Sequence, residues 1–389
     1  MKILVASGSF KDVFNPIEAV KVIGDALNNE TNEVTCLPFC DGGEYTYEVL
    51  QHSFHYETAV VEHVLNPYGK TKDVHYLVNE GEAHLISSNV LRLFPVEDSF
   101  KNPLNLTDYG YGQIISDAIE RGCRKLILYL GGTSTACCGF GTIQALGAKL
   151  YSEEGRLIDT PCKAADLQNI KFIEADKSAF SDIELHVVAD GNSKVNALPG
   201  ITALKIGKCF SKDREAIVSN VMSGIENVVS LTGISPEKDF TGAAGGLLFG
   251  LEQVFTNVHY TLGGLFFNRV LNIEPEIEKS DLIITGEGRY DNTADGKAPS
   301  VITQLAKKHN KPAILVCGQH DKKKIPDYSG GYIDCKNNKQ FCEQGITAII
   351  TGQEYYDSIT LPDSYQDCIS LFRSKTPTIL KQLFSKAGL

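Results

Sequence analysis

The stretch Ser280-Asp-Leu-Ile-Ile-Thr-Gly-Glu-Gly-Arg-Tyr-Asp-Asn-Thr-Ala-Asp-Gly-Lys297 decides the fold. Its apolar run Leu282 to Thr285 reads as a short buried strand, followed by a Gly-Glu-Gly-Arg turn richer in charge and glycine than a plain connection requires. Open α/β sheets bind ligands just past the carboxyl ends of their strands. Gly286 and Gly288, flanking Glu287, would let backbone N–H groups approach an anion. Arg289 and Lys297 offer a planar fork and a point charge to phosphate or carboxylate oxygens. Gly-x-Gly by itself also fits an ordinary strand-to-helix loop.

A second stretch has the same grammar. Lys125 to Leu130 reads as a strand, Gly131-Gly132-Thr133-Ser134-Thr135 follows, and Gly139 to Leu150 reads as a helix with Ile143, Leu146 and Leu150 on one face. Backbone donors, hydroxyls and the positive end of that helix together predict an anion cradle. No Gly-Lys-Ser/Thr follows, so it is not a Walker A loop. Asp239-Phe-Thr-Gly-Ala-Ala-Gly-Gly246 repeats the small-residue pattern ahead of an apolar helix.

Outward from these loops, strands and helices alternate as an α/β fold requires. Lys2 to Ala6 is a strand, Asn15-Pro16 opens a helix that buries Ile17, Val20, Ile23 and Leu27, and Glu33 to Leu37 is a strand leading to Asp41-Gly42-Gly43-Glu44. Three alternating runs, Tyr56 to Val61, Asp73 to Val78 and Ala83 to Ser88, read as a separate antiparallel or mixed sheet. Further on come helix Tyr111 to Arg121, strand Ile183 to Ala189, helix Arg214 to Leu231, helix Ser300 to His309, and strands Ala313 to Cys317 and Thr347 to Thr351. A last helix is expected to break near Pro377.

Composition sets outer limits. The 389 residues suffice for two domains, and 37 basic against 48 acidic residues give a formal charge of −11, which disfavours nucleic acid and anionic membranes as partners. The 11 cysteines show no Cys-x-x-Cys spacing, and no secretory segment stands before the first strand, so free thiols in a reducing cytoplasm are expected. Cys137 is held open as a thiol whose pKa a helix N-terminus would lower, with simple packing the favoured reading.

Several motifs together resemble the bacterial glycerate kinase family. They are Met1-Lys-Ile with Ser9-Phe10-Lys11, Asp41-Gly42-Gly43-Glu44, Gly131-Gly132 through Gln144-Ala-Leu-Gly147, Gly242-Ala-Ala-Gly-Gly246, and Asp281 to Lys297, in the family's order. The resemblance implies ATP-dependent phosphorylation of D-glycerate, usually on the 2-hydroxyl, in a cleft between two α/β domains. It also implies a Rossmann-like parallel-sheet domain made of residues 1–60 plus 280–389, with a second α/β domain, 61–279, inserted. Phosphoryl transfer further calls for Mg²⁺ held by carboxylates.

The chain departs from the family's pattern on one side. Gly8 stands where the family has Asp, Ser134-Thr135-Ala136-Cys137-Cys138-Gly139 replaces Ala-Thr-Asn-Asp-Gly-Gly, and Ile86-Ser87-Ser88-Asn89 replaces Ile-Glu-Met-Ala. The Gly-Pro-Gln-Lys-Gly-Ala segment has no counterpart around Gly207 to Phe210. All of these precede or reach Phe210, while the Gly286 to Arg289 side is intact. Asp190, at the end of Val187-Val188-Ala189, is the candidate general base or Mg²⁺ ligand, with Asp291 competing for the role. Lys11 either neutralises a phosphate or pairs with a surface acid. Ser9, Asp41, Gly42, Gly43, Glu44, Gly131, Gly132, Thr133, Ser134, Gly286, Glu287, Gly288, Arg289 and Lys297 are the candidate substrate- and phosphate-binding residues. Asp41 and Glu44 are equally readable as turn formers.

Function is thereby expected to be a small-molecule kinase using ATP and Mg²⁺, with weak or absent activity on D-glycerate itself and a less polar or larger acceptor in its place. The alternative is a non-catalytic relative that binds a metabolite or nucleotide, or regulates a partner. A nicotinamide oxidoreductase would need a strand, Gly-x-Gly-x-x-Gly and a later acid, and no such unit is convincing. Oligomeric state is not legible.

Overall fold

A computed structural model describes residues 1–92, 102–159, 161–195, 214–290, 297–321, 331–358, 361–362 and 364–389. In chain order its strands are β1 (Lys2–Ser7), β2 (Glu33–Pro38), β3 (Glu57–Leu65), β4 (Thr71–Asn79), β5 (Glu82–Ile86), β6 (Lys125–Leu130), β7 (Lys149–Tyr151), β8 (Phe172–Glu174), β9 (Glu184–Ala189), β10 (Val258–Leu262), β11 (Leu282–Tyr290), β12 (Ala313–His320), β13 (Tyr332–Asp334) and β14 (Ala348–Thr351). They divide between two units, Met1–Asp41 with Gly263–Leu389, and Gly42–Leu262. The mixed α/β class with parallel sheets is the one expected from sequence.

Among the described residues, the first unit holds a six-stranded sheet in the order β13-β14-β12-β11-β1-β2. Its strands are parallel apart from β13, which runs antiparallel to β14. Ile3, Leu4, Val5 and Ala6 are all buried, because a parallel strand is covered on both faces. Val316 packs with Ile3, Ile23 and Leu383 on one face, while Leu315 and Cys317 pack with Phe341 and Ile349 on the other, the alternation of a strand. The helix Pro16–Leu27 starts on a reciprocal cap: Glu18 N–H donates to Asn15 Oδ1 at 2.9 Å, and Asn15 N–H donates to the Glu18 carboxylate at 3.0 Å.

Two expectations for this unit are corrected. The Gly-Glu-Gly-Arg segment is not a turn: β11 runs through Tyr290 and pairs with β12 as far as Tyr290 opposite His320. Nor does the last helix break, since Tyr365–Lys386 is continuous with Pro377 inside it. Proline removes one backbone donor there, but Ile379, Leu380, Leu383 and Phe384 are buried just beyond it, and tertiary packing carries the helix across.

The second unit, again among described residues, has a six-stranded sheet in the order β10-β9-β6-β5-β4-β3. The three alternating runs form no separate sheet. β3, β4 and β5 are antiparallel, and β5 then pairs parallel with β6, so they continue into β6, β9 and β10. β5 is buried from Ala83 to Ile86 because both of its edges are occupied. The expected helix from Gly139 to Leu150 is only Phe140–Ala145. Gly147, with φ +94°, turns the chain, and Leu150 sits in β7, paired with β8.

The sequence placed the joints near residues 60 and 280; the units part at Asp41/Gly42 and Leu262/Gly263. The helix Thr46–Phe54 packs on β4, and the helix Gly263–Val270 packs on Ala298–Lys308. Where the chain returns, a Cβ on Gly263 would lie 1.6 Å from the Asp41 carbonyl oxygen, so only glycine permits that approach.

Candidate active site

In the second unit, chemistry-bearing residues gather at the carboxyl ends of β5, β6 and β9. Ser87, just past β5, uses one buried hydroxyl twice: it donates to Gly131 C=O at 3.0 Å and accepts from Gly131 N–H at 3.2 Å. A Cβ on Gly131 would stand 2.7 Å from Gly43 Cα and 2.8 Å from Asp190 Oδ2. The missing side chain is what lets the Asp190 carboxylate and the Gly42–Gly43 backbone close against the end of β6. Gly132, with φ +66°, would bring a Cβ within 3.1 Å of Ser88 Cβ and 3.2 Å of Glu44 Cγ. Glu44 in turn pairs with Arg92 at 3.4 Å. The structure thus brings Gly42, Gly43, Glu44, Gly131, Gly132 and Asp190 together, and adds Ser87 and Arg92, which sequence reasoning did not assign. Thr133 is half-buried, and the Ser134 hydroxyl donates to Leu91 C=O at 2.7 Å.

The positive end of the helix after this loop is already occupied. Asp108, a buried residue the sequence gave no signal for, accepts from Gly139 N–H at 2.9 Å and Thr142 N–H at 2.8 Å, capping Phe140–Ala145. Burial pushes its carboxyl up to about 6, with the N–H bonds from Thr142 and Gly139 pulling the other way. The helix end expected to help hold a ligand anion therefore faces a carboxylate of the chain itself. Cys137 is packed, as the favoured reading had it. Its thiol donates to Leu106 C=O at 2.9 Å, and burial holds its pKa well above the usual thiol value, so the helix end does not activate it. Gly246 of the Gly242 to Gly246 stretch serves packing, and so does Gly139. A Cβ on Gly246 would meet Cys138 Sγ at 2.9 Å, and a Cβ on Gly139 would meet Leu247 C=O at 2.3 Å.

In the first unit a second group lies at the carboxyl ends of β1, β11 and β12. Ser7 Oγ sits 3.1 Å from Gly286 C=O. A Cβ on Gly286 would meet the tip of Phe10 and Val316 C=O, each at 2.9 Å, and one on Gly288 would meet the Phe10 carbonyl carbon at 3.3 Å and Lys11 N at 3.5 Å. These glycines let the Gly8 to Lys11 loop lie across the extended end of β11. Gly8 is buried, and its Cβ would stand 3.3 Å from Ala298 Cβ at the start of the helix Ala298–Lys308. Lys297 is the N-cap residue of that helix and gives no side-chain cap; Lys11, in the left-handed region at φ +46°, and Arg289 are exposed. Ser9 and Glu287 are half-buried nearby in sequence, and Asp41 contributes its carbonyl to the approach of Gly263. His320, not singled out from sequence, is buried at the end of β12, with Nδ1 3.1 Å from Thr351 Oγ1. Asp291, and the segment from Gly207 to Phe210, lie outside the described residues.

Mg²⁺ takes oxygen ligands, commonly one or two carboxylates plus substrate phosphates. Asp190, a carboxylate just past the carboxyl end of β9 and beside Gly131, is of the ligand type that demand calls for. Gly8 and Cys137 bring no carboxylate, and Asp108 is committed to the helix cap. Among the described residues no helix is long and apolar enough to cross a membrane.

Comparison with known proteins then places the chain. The model of the glycerate kinase family matches residues 3–336. The chain is 29% identical over 336 residues to the glycerate kinase of Bacillus subtilis (strain 168), covering 82% of this chain and 85% of that protein. It is 28% identical over 337 residues to the glycerate 2-kinase of Escherichia coli (strain K12), covering 82% and 85%. A crystal structure from Salmonella typhimurium LT2, provisionally assigned as glycerate kinase 2, shares the fold with a TM-score of 0.69 at 22% identity, covering 100% of both chains. The chain belongs to the glycerate kinase family.

Proposed function

We propose that this member of the glycerate kinase family is an ATP-dependent kinase that phosphorylates a hydroxyl of D-glycerate or a related small hydroxy acid, giving a 2-phosphoglycerate-type product. The observation that carries the reading is the seating of Asp190. Its Oδ2 stands at the carboxyl end of β9, in the space that a Gly131 side chain would need. There it accepts the proton of the attacking hydroxyl as the new P–O bond forms and the bond to ADP breaks. Mg²⁺, when bound, would screen the phosphate charge, with Asp190 as the described ligand that fits it. In the first unit, Lys11, Arg289, Lys297 and the first-turn N–H groups of Ala298–Lys308 bind anionic oxygens of nucleotide or acid. Every cysteine among the described residues is a free thiol, which supports a cytoplasmic setting.

A second reading, a relative that binds without turnover, is favoured by the missing carboxylates at Gly8 and Cys137. An assay of ADP release across D-glycerate, L-glycerate and related hydroxy acids separates the two. Turnover of any acceptor that requires MgATP upholds the kinase, with D-glycerate expected to be a poor one. Ligand-dependent thermal stabilisation by ATP without ADP release from any acceptor would leave the binding protein.

A further inference from the structure

Away from both groups, the second unit carries a cluster that the kinase chemistry does not use. β9 and β10 are parallel neighbours, and His186 and His259 stand directly opposite each other in their register. Glu184 lies two residues before His186, so it projects from the same face of the sheet. Glu184 Oε1 is 2.6 Å from His186 Nε2 and 3.9 Å from His259 Nε2. The imidazole rings are 4.9 Å apart, and the three donor atoms all lie within 4.8 Å of one another.

We propose that Glu184, His186 and His259 form a binding site for a divalent transition-metal ion of the zinc class, with water completing the coordination. Tetrahedral bonds of about 2.0–2.1 Å put ligand atoms roughly 3.3 Å apart, and the two measured separations bracket that spacing. Small side-chain rotations suffice to reach it, since all three residues are partly exposed, at 28%, 43% and 55% for His186, Glu184 and His259. Two imidazoles and one carboxylate are the donor set that suits zinc, copper or nickel, whereas magnesium and calcium prefer oxygen alone. The nearest opposing charges are already matched: Lys125, paired across β6 with Glu184, is ion-paired with Glu82, and Arg124 with Asp182 at 2.7 Å.

Such an ion would clip two strands together. β10 ends the sheet and has β9 as its partner there. β10 runs to Leu262, where the second unit ends, and β9 runs to Ala189, next to Asp190. Metal binding would therefore stiffen the strand that seats Asp190, on the opposite end from the reaction.

The test uses the full-length chain, ZnCl₂ for affinity and CoCl₂ for ligand identity. One Zn²⁺ per chain should bind and raise the melting temperature, as any ligand of the native state must. His259→Ala and the near-isosteric Glu184→Gln should each weaken binding at least tenfold while the metal-free melting temperature stays within about 3 °C of the parent. Bound Co²⁺ should lack the sulfur charge-transfer band that thiolate ligation by exposed Cys36 or Cys342 would produce. Absence of Zn²⁺ binding at millimolar concentration, unaltered affinity in both variants, or a thiolate band would each overturn the site.

Discussion

Gly131-Gly132 and Gly286-Glu287-Gly288 look alike in sequence, and the structure uses them for different ends. Gly131 sits at the end of β6, where its missing Cβ admits the Gly43 backbone and the Asp190 carboxylate, and Gly132 needs a positive φ to bend the chain. Gly286 and Gly288 are extended residues inside β11, and their bareness lets the loop from Gly8 to Lys11 lie across the strand. The first pair seats a half-buried acid; the second clears a floor beneath exposed cations. A glycine motif thus reports close approach, and only its neighbours say of what.

The largest effect that would sharpen this contrast is on the acid. Asp190→Asn should lower kcat on the best acceptor about 10²–10⁴-fold, the span ascribed to general acid–base catalysis, with nucleotide binding retained. Steady-state ADP release with parallel calorimetry of nucleotide binding checks it, and an unchanged kcat would remove Asp190 from the reaction.

Next comes the cap that takes the helix end beside Gly131. Asp108 is raised from 3.8 to about 6 on folding, so the native state holds its proton more tightly than the unfolded chain. Its stabilising contribution is fully present below pH 3.8 and is lost as pH rises through 6. Denaturant unfolding of the parent and of Asp108→Asn should show the difference in stability falling by about 2 kcal/mol between pH 4 and 6, the slope approaching but not reaching 1.36 kcal/mol per unit. A difference that does not vary with pH would place the titration elsewhere.

The glycines themselves give a smaller, graded effect. Gly131→Ala forces contacts of 2.7–2.8 Å and should destabilise by about 1–3 kcal/mol, whereas Gly288→Ala meets atoms no closer than 3.3 Å and should change stability by less than about 1 kcal/mol. Equal losses in thermal unfolding would dissolve the distinction. The smallest change in stability is expected at Arg289, exposed at the end of β11. Arg289→Ala should alter the free protein by under about 0.5 kcal/mol, yet weaken nucleotide or hydroxy-acid binding measurably. Intact affinity would show that the exposed cation takes no part.

The repair of the altered side is constrained by the same geometry. Gly8→Asp must push against Ala298 Cβ at 3.3 Å, and Cys137→Asp would bury a second carboxylate near Asp108. Restoring the family's residues in the double variant is therefore expected to raise activity on D-glycerate only weakly.

Some of this was legible in the residues alone. β6, from Lys125 to Leu130, and the cap at Asn15 with Pro16 read correctly because strand apolarity and helix capping are local signals. The long helix from Arg214 and the strand ending at Ala189 were equally plain. Gly42 to Glu44, Gly131, Gly132 and Asp190 could be singled out one by one, by strand-end position and glycine content.

What tertiary structure alone decided is which of those residues meet and which local rules yield. No spacing says that Ser87 braces Gly131, that Asp108, just ahead of the helix Tyr109–Glu120, fills the helix end at Gly139, or that His186 and His259 face each other across neighbouring strands. The Gly-Glu-Gly-Arg segment became strand because β12 supplies a pairing edge as far as His320, and Pro377 stayed helical because the residues beyond it are buried. Local propensity amounts to about a kcal/mol per residue for glycine and about three for proline. Pairing edges and burial along a whole element outweigh it, and they exist only once the chain has folded.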